Sequence, residues 1–106
     1  MQFRGGMNEL MRQAARMQRK IEQAKSELKE REITIDGVGG KVKIVMTLGR
    51  ALKRIQIDKE LLQTEEVELV LDGVCAAINR AIEEVDKQME AEVDKVTGGV
   101  KIPGVV

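Results

Sequence analysis

The chain has 106 residues, 42% apolar and 34% charged with zero formal net charge, and one aromatic ring, Phe3, which suits a single domain held by aliphatic side chains. It contains no His, Tyr or Trp, and Ser26 and Cys75 are single, so no catalysis, cofactor or small-molecule substrate is expected. No apolar run approaches the roughly eighteen residues of a membrane helix, and the N-terminus lacks a signal peptide's apolar core, which predicts a soluble, cytoplasmic protein with no membrane partner.

Residues Met1 to Gly6 read as a polar leader in which Gly5-Gly6 interrupts regular structure and leaves Arg4 mobile. A helix is predicted from Met7 or Asn8, with Asn8 as N-cap, to about Arg31, some 36 Å. Met7, Leu10, Ala14, Met17, Ile21, Ala24 and Leu28 recur at alternating spacings of three and four, a seam that asks for a partner helix. On the outer side Arg12, Arg16 and Arg19 recur at four and three, with Lys20 beside them.

The period then changes to two. Glu32 to Asp36 alternates as a strand, Gly37-Val38-Gly39-Gly40 supplies a loop, and Lys41 to Leu48 places Val42, Ile44, Met46 and Leu48 on one face. Gly49-Arg50 has the composition of a type II′ hairpin turn, leading to a third strand, Leu52 to Ile57, with Ile55 and Ile57 inward. The product is a three-stranded antiparallel meander, apolar on one face.

Lys59 to Gln63 reads as a turn, and Thr64 before Glu65 and Glu66 as a helix start, with a capping hydroxyl and carboxylates near the positive dipole end. The helix runs to about Val96. Val67, Val70, Leu71, Val74, Ile78, Ala81, Ile82 and Val85 form a broad apolar face that narrows to Met89, Val93 and Val96. Cys75, among Val74, Ala76, Ala77 and Ile78, reads as a small buried hydrophobe. At roughly 50 Å this helix overhangs strands of about 20 to 27 Å. Its narrow stripe therefore needs cover from the first helix or a second subunit, and a two-fold homodimer with projecting helical arms is expected. Gly98-Gly99 ends the helix. Residues 98–106, with the only proline, read as a flexible tail on a single α-β-β-β-α domain, 1–97, of α+β class.

Few groups can carry chemistry. Gly37 to Gly40 joins two strands, and neither Gly-Lys-Ser nor Gly-Lys-Thr follows, so it reads as a hairpin loop and not a phosphate loop. Glu65/Glu66, Glu83/Glu84 and Glu90/Glu92/Asp94 lack a loop that would turn their oxygens onto one point, and no metal is expected. The cations remain. Cut after Lys59, the chain holds 14 Lys+Arg against 7 Asp+Glu and then 4 against 11; either the halves attract each other in packing or one end faces a polyanion. Arg12, Arg16, Arg19 and Lys20, with Arg4 in the leader, are the candidate DNA contacts, because guanidinium forks suit phosphate oxygens. Lys41, Lys43, Arg50, Lys53 and Arg54 add a second basic group on the sheet. Helix and sheet alone fit nucleic acid and a solvated face equally. For a nucleic acid, the scarcity of rings on which single-stranded bases could stack favours double-stranded DNA held through phosphates.

Gly6-Met7-Asn8-Glu9-Leu10-Met11-Arg12-Gln13-Ala14-Ala15-Arg16-Met17-Gln18, the glycine loop before Lys41-Val42, Ile57-Asp58 with Leu61-Leu62, Leu71-Asp72-Gly73-Val74-Cys75-Ala76-Ala77-Ile78-Asn79-Arg80-Ala81 and the tail Gly98 to Gly104 share a further property. Together, in order and over nearly the whole chain, they resemble the YbaB/EbfC family of bacterial nucleoid-associated proteins. The resemblance implies a helix, a three-stranded sheet and a long helix, assembled as a homodimer whose projecting helices grip DNA like tweezers. It further implies limited sequence preference, a nucleoid location, and influence on nucleoid organisation and gene expression. The family's basic first helix maps onto Arg12 and Arg16; Arg19 and Lys20 come from the helical wheel. The acidic second helix departs from a DNA-binding surface except near Lys87 and Lys95. The alternative is a chaperone-like or protein-binding helical module, since prefoldin-type subunits share the order helix, hairpins, helix. Its cue would be exposed Met7, Met11, Met89, Val93 and Val96.

Overall fold

The computed structural model describes residues 2–98, with side chains from Gly6 onward; the expected tail over 99–106 and the side chain of Arg4 lie outside the described residues. Helix α1 (Gln2–Leu28) begins earlier than the sequence predicts. Glycine costs a helix about 1 kcal/mol against alanine but keeps its N–H donor, so Gly5-Gly6 continues the helix and Asn8 lies inside it instead of capping it. After Leu28 the chain turns, with Arg31 N–H donating to Leu28 O.

Strands β1 (Glu32–Gly37), β2 (Val42–Thr47) and β3 (Leu52–Ile57) form the expected antiparallel meander in the order β1-β2-β3. Ile35 and Ile55 flank Ile44 across the sheet. Near the hairpin, Val45 pairs with Arg54 but Met46 pairs with Leu52, a bulge that leaves Lys53 as the extra residue. Helix α3 (Val67–Thr97) lays Val70, Val74, Ala77, Ala81 and Val85 against Val42, Ile44 and Met46 to make the core.

That helix lies over β1 and β2 and hardly reaches β3, and three expectations are corrected. Ile55, placed inward by alternation, is 42% exposed although it stands opposite buried Ile44. Val67 and Leu71 are exposed as well. Cys75 is exposed and not buried, because one residue past Val74 is about 100° around a helix of 3.6 residues per turn. Neighbours in sequence are not neighbours on a helical face.

A short helix, α2 (Lys59–Thr64), replaces the expected turn. Asp58 caps it by accepting from Glu60 N–H at 2.9 Å, and Leu61 is buried beneath it. Thr64, expected to cap the next helix, ends this one: its hydroxyl donates back to Glu60 O at 2.9 Å. Glu66 sits at the α3 N-cap without a side-chain bond.

The β2–β3 turn also differs from the type II′ expectation. Arg50 N–H donates to Thr47 O, Thr47 N–H donates to Ala51 O, and the left-handed residue is Arg50, with φ 69°, in a three-residue turn. Gly49 answers a different need. Its N–H donates to Lys29 O at 3.0 Å while Leu48 N–H donates to Arg31 O at 2.9 Å, and a Cβ on Gly49 would stand 2.9 Å from Lys29 O. Arg50 then grips Asp86 of α3 with two hydrogen bonds, Nε to Oδ1 at 2.9 Å and Nη2 to Oδ2 at 2.5 Å. One turn thus fastens the end of α1 and the middle of α3 to the sheet.

Beyond Val85, α3 leaves the sheet and runs antiparallel to α1. Arg31 pairs with Glu92 at 3.2 Å, and Val96 lines a groove with Ala24 and Leu28. The seam of α1 is covered only in this half: Ile21 is buried and Met17, Ala24 and Leu28 are partly buried, whereas residues 6–16 are all exposed. The molecule extends 75 Å by 19 by 17 Å. No helix among the described residues is long and apolar enough to cross a membrane.

Candidate nucleic-acid interface

At 100° per residue, Arg12, Arg16 and Arg19 fall within a band of about 60° on α1, and Lys20 extends it by about 40°. Met7, Leu10, Met17 and Ile21 lie on the opposite side. The arginine stripe therefore points away from α3, the helix against which α1 packs, and its length along the axis is about 12 Å. All four cations are exposed, with the Arg12 and Arg16 side chains 72% and 58% accessible.

One carboxylate tempers the stripe. Glu9 lies 4.0 Å from Arg12 Nη1 and 3.8 Å from Arg16 Nη2. The sequence already carried the signal, because Glu9 precedes Arg12 by three and Arg16 by seven and so shares their side of the wheel. Among the described residues, neither Arg19 nor Lys20 takes part in an ion pair. Exposed pairs at such distances are weak, about 0 to 1 kcal/mol, so a phosphate can displace Glu9 from both guanidinium groups. Each Arg presents a planar fork that can donate to two phosphate oxygens, and Lys20 adds a point charge.

Both arginines of the second basic group are engaged in the fold. Arg50 is held by Asp86, and Arg54 Nη2 lies 3.2 Å from Glu32 Oε1, bridging the outer face of the sheet above buried Val45. Lys43 stands opposite Asp36 in the register. Hydrogen bonding to Arg50 is the main cause that holds the Asp86 carboxyl below the usual aspartate range, and the same bond raises the guanidinium. Near the end of α3, hydrogen bonds from Lys95 and then Arg31 lower the pKa of Glu92. Lys95 is thereby occupied, and Lys87 is exposed. Among the described residues no three Cys, Asp or Glu side chains converge as a metal site.

Residues 3–100 match the family model described as the YbaB/EbfC DNA-binding family. A "Nucleoid-associated protein" of Acetivibrio thermocellus is 39% identical over 103 residues, covering 96% of this chain and 91% of the relative. One of Ruminiclostridium cellulolyticum is 36% identical over 103 residues, covering 96% and 90%. A crystal structure of an uncharacterized protein from Helicobacter pylori superposes with a TM-score of 0.68 at 21% identity, covering 86% of this chain and 96% of that one, a likeness of fold. With a family match across nearly all its length, and relatives of this identity and coverage, the chain belongs to the YbaB/EbfC DNA-binding family.

Proposed function

We propose that this protein binds double-stranded DNA in the bacterial nucleoid through phosphate contacts from Arg12, Arg16, Arg19 and Lys20, with Arg4 adding to the same end of α1. Base preference is limited, because phosphates carry no sequence code, and the outcome is an influence on nucleoid organisation and gene expression. The observation that carries the reading is an exposed stripe of four cations facing away from the packed side of its helix. The unit is a homodimer of a single domain, residues 1–97, with α1 and α3 projecting as paired arms and two stripes related by the two-fold axis. Support for the dimer comes from exposed apolar side chains, Leu52 and Ile55 on the edge strand and Leu62, Val67 and Leu71 on the helices that follow. Gel shifts with duplex and single-stranded DNA across salt test the reading: duplex preferred and steep salt dependence are expected, and a flat titration refutes phosphate binding.

A second reading, a chaperone-like or protein-binding module, draws on Met7, Leu10 and Met11, which are 60 to 66% exposed on the same helix. Suppression of aggregation of an unfolded client, with no duplex binding, would favour it.

A further inference from the structure

Helix α1 carries its apolar seam further than α3 covers it. Arg31 pairs with Glu92, and Val96 lines a groove with Ala24 and Leu28, so α3, ending at Thr97, lies beside the C-terminal half of α1 alone. Toward the N-terminus the same line continues through Ala14, Leu10 and Met7. Residues 6–16 are all exposed, Leu10 at 63% and Met7 at 60%. Solvating that line costs free energy in proportion to its apolar area.

The residues beside the seam narrow the choice of cover. Met7, Leu10, Ala14 and Met17 take heptad positions a, d, a and d, and the flanking e and g positions over this half are Gly6, Met11, Gln13 and Gln18. None carries a charge. In the half beside α3 the same positions hold Lys20, Lys25 and Glu27. A second copy of α1 can therefore lie along the bare half without setting like charges side by side. Its direction follows from α3. A parallel copy would bring its own α3 to the same level as the first, and the two C-terminal turns would compete for the space beside the seam. An antiparallel copy runs in the same direction as α3 and takes up the line where α3 stops. Met7 of each copy then faces Met17 of the other, and Leu10 faces Ala14, a large side chain against a small one.

We propose that residues 7–17 of α1 are a self-association surface, on which two copies pair antiparallel through Met7, Leu10, Ala14 and Met17. The paired length is about 15 Å, short for a stable interface, so the contact is weak and depends on concentration. It lies far along the 75 Å body from Val67 and Leu71 at the start of α3. With the homodimer face engaged as well, two self-complementary contacts at separate places on one chain join dimers into an open string. The pairing is independent of whether the arginine stripe, on the opposite side of the helix, meets DNA.

Crosslinking of the full chain tests it. In a Cys75→Ser background, Gln13→Cys is treated with a short bis-maleimide. Antiparallel pairing sets position 13 of the two chains about 3 Å apart along the axis, on the same side of the seam. A product between two chains is expected, and Arg16→Cys, on the outer side, should give about tenfold less. No product from Gln13→Cys overturns the proposal, whether the seam is bare or is covered by its own chain, and so does an equal yield from Arg16→Cys. Adding Leu10→Asp, a change at an exposed position, should cut the Gln13→Cys yield by at least about tenfold, because each copy loses an apolar layer; an unchanged yield overturns the proposal. The product should persist when Val67→Asp and Leu71→Asp, both at exposed positions, are added to break the homodimer face. Its loss in that folded variant would place the seams inside the homodimer and overturn a separate contact.

Discussion

Replacing Arg12, Arg16 and Arg19 together by Ala tests the phosphate mechanism most directly, because the structure sets how much should be lost. Five cations per chain with Arg4 included, doubled in a dimer, give up to ten phosphate contacts and a slope of log affinity on log salt of about −9. Between 50 and 200 mM salt this amounts to a loss of about 10⁵-fold. The triple variant keeps Arg4 and Lys20, hence four contacts per dimer, a slope near −4 and a loss of only about 100-fold over the same range. All three side chains are solvent-exposed, so thermal stability should move by less than about 0.5 kcal/mol for each substitution. Fluorescence anisotropy on a labelled duplex at a series of salt concentrations gives both slopes, and circular dichroism checks the fold. An unchanged slope in a folded triple variant would refute the assignment, whatever the change in affinity.

Glu9→Gln should tighten duplex binding by about two- to tenfold at low salt, since Arg12 and Arg16 lose an exposed competitor; equal affinity in the same anisotropy assay would contradict the competition. Asp86→Asn should lower the melting temperature at pH 7 because it breaks the Arg50 clamp. The folded carboxyl sits below its ordinary value, so its stabilisation is present above the usual aspartate pKa and disappears as pH falls through the lowered one. Scanning calorimetry should accordingly find the two melting curves converging in acid, and a gap independent of pH would refute the clamp. Gly49→Ala should destabilise the protein by about 1 to 3 kcal/mol in urea unfolding, as the new methyl group meets Lys29 O and parts the turn from α1.

The strands could be read from the sequence because their alternation and glycine breaks are local signals, and the observed bounds of β1, β2 and β3 differ from the expected ones by at most a residue. The α1 stripe was equally plain, since spacing alone fixes which residues share a helical face. What escaped were features decided by distant partners. Alternation put Ile55 on the correct side of the sheet but could not tell that α3 stops short of the edge strand. Composition put a glycine in the β2–β3 turn but not its reason, which is the approach of Lys29 from another element; the left-handed position fell to Arg50, held by Asp86. The α2 segment looked like a turn because six residues are too few for a helical period to declare itself. Asp58, a good cap two residues before Glu60, was the cue to it.

A molecule with no net charge can still be turned by a field. Along a body 75 Å in length, α1 gathers Arg12, Arg16, Arg19 and Lys20 toward one end, while α3 carries eight carboxylates against three cations. Near a polyanion such a charge distribution feels a torque before it feels contact, and it approaches with the cationic helix leading and the acidic helix held off. Encounter is thus oriented at no cost in overall attraction, and added salt should slow association by erasing the orientation as well as the pull.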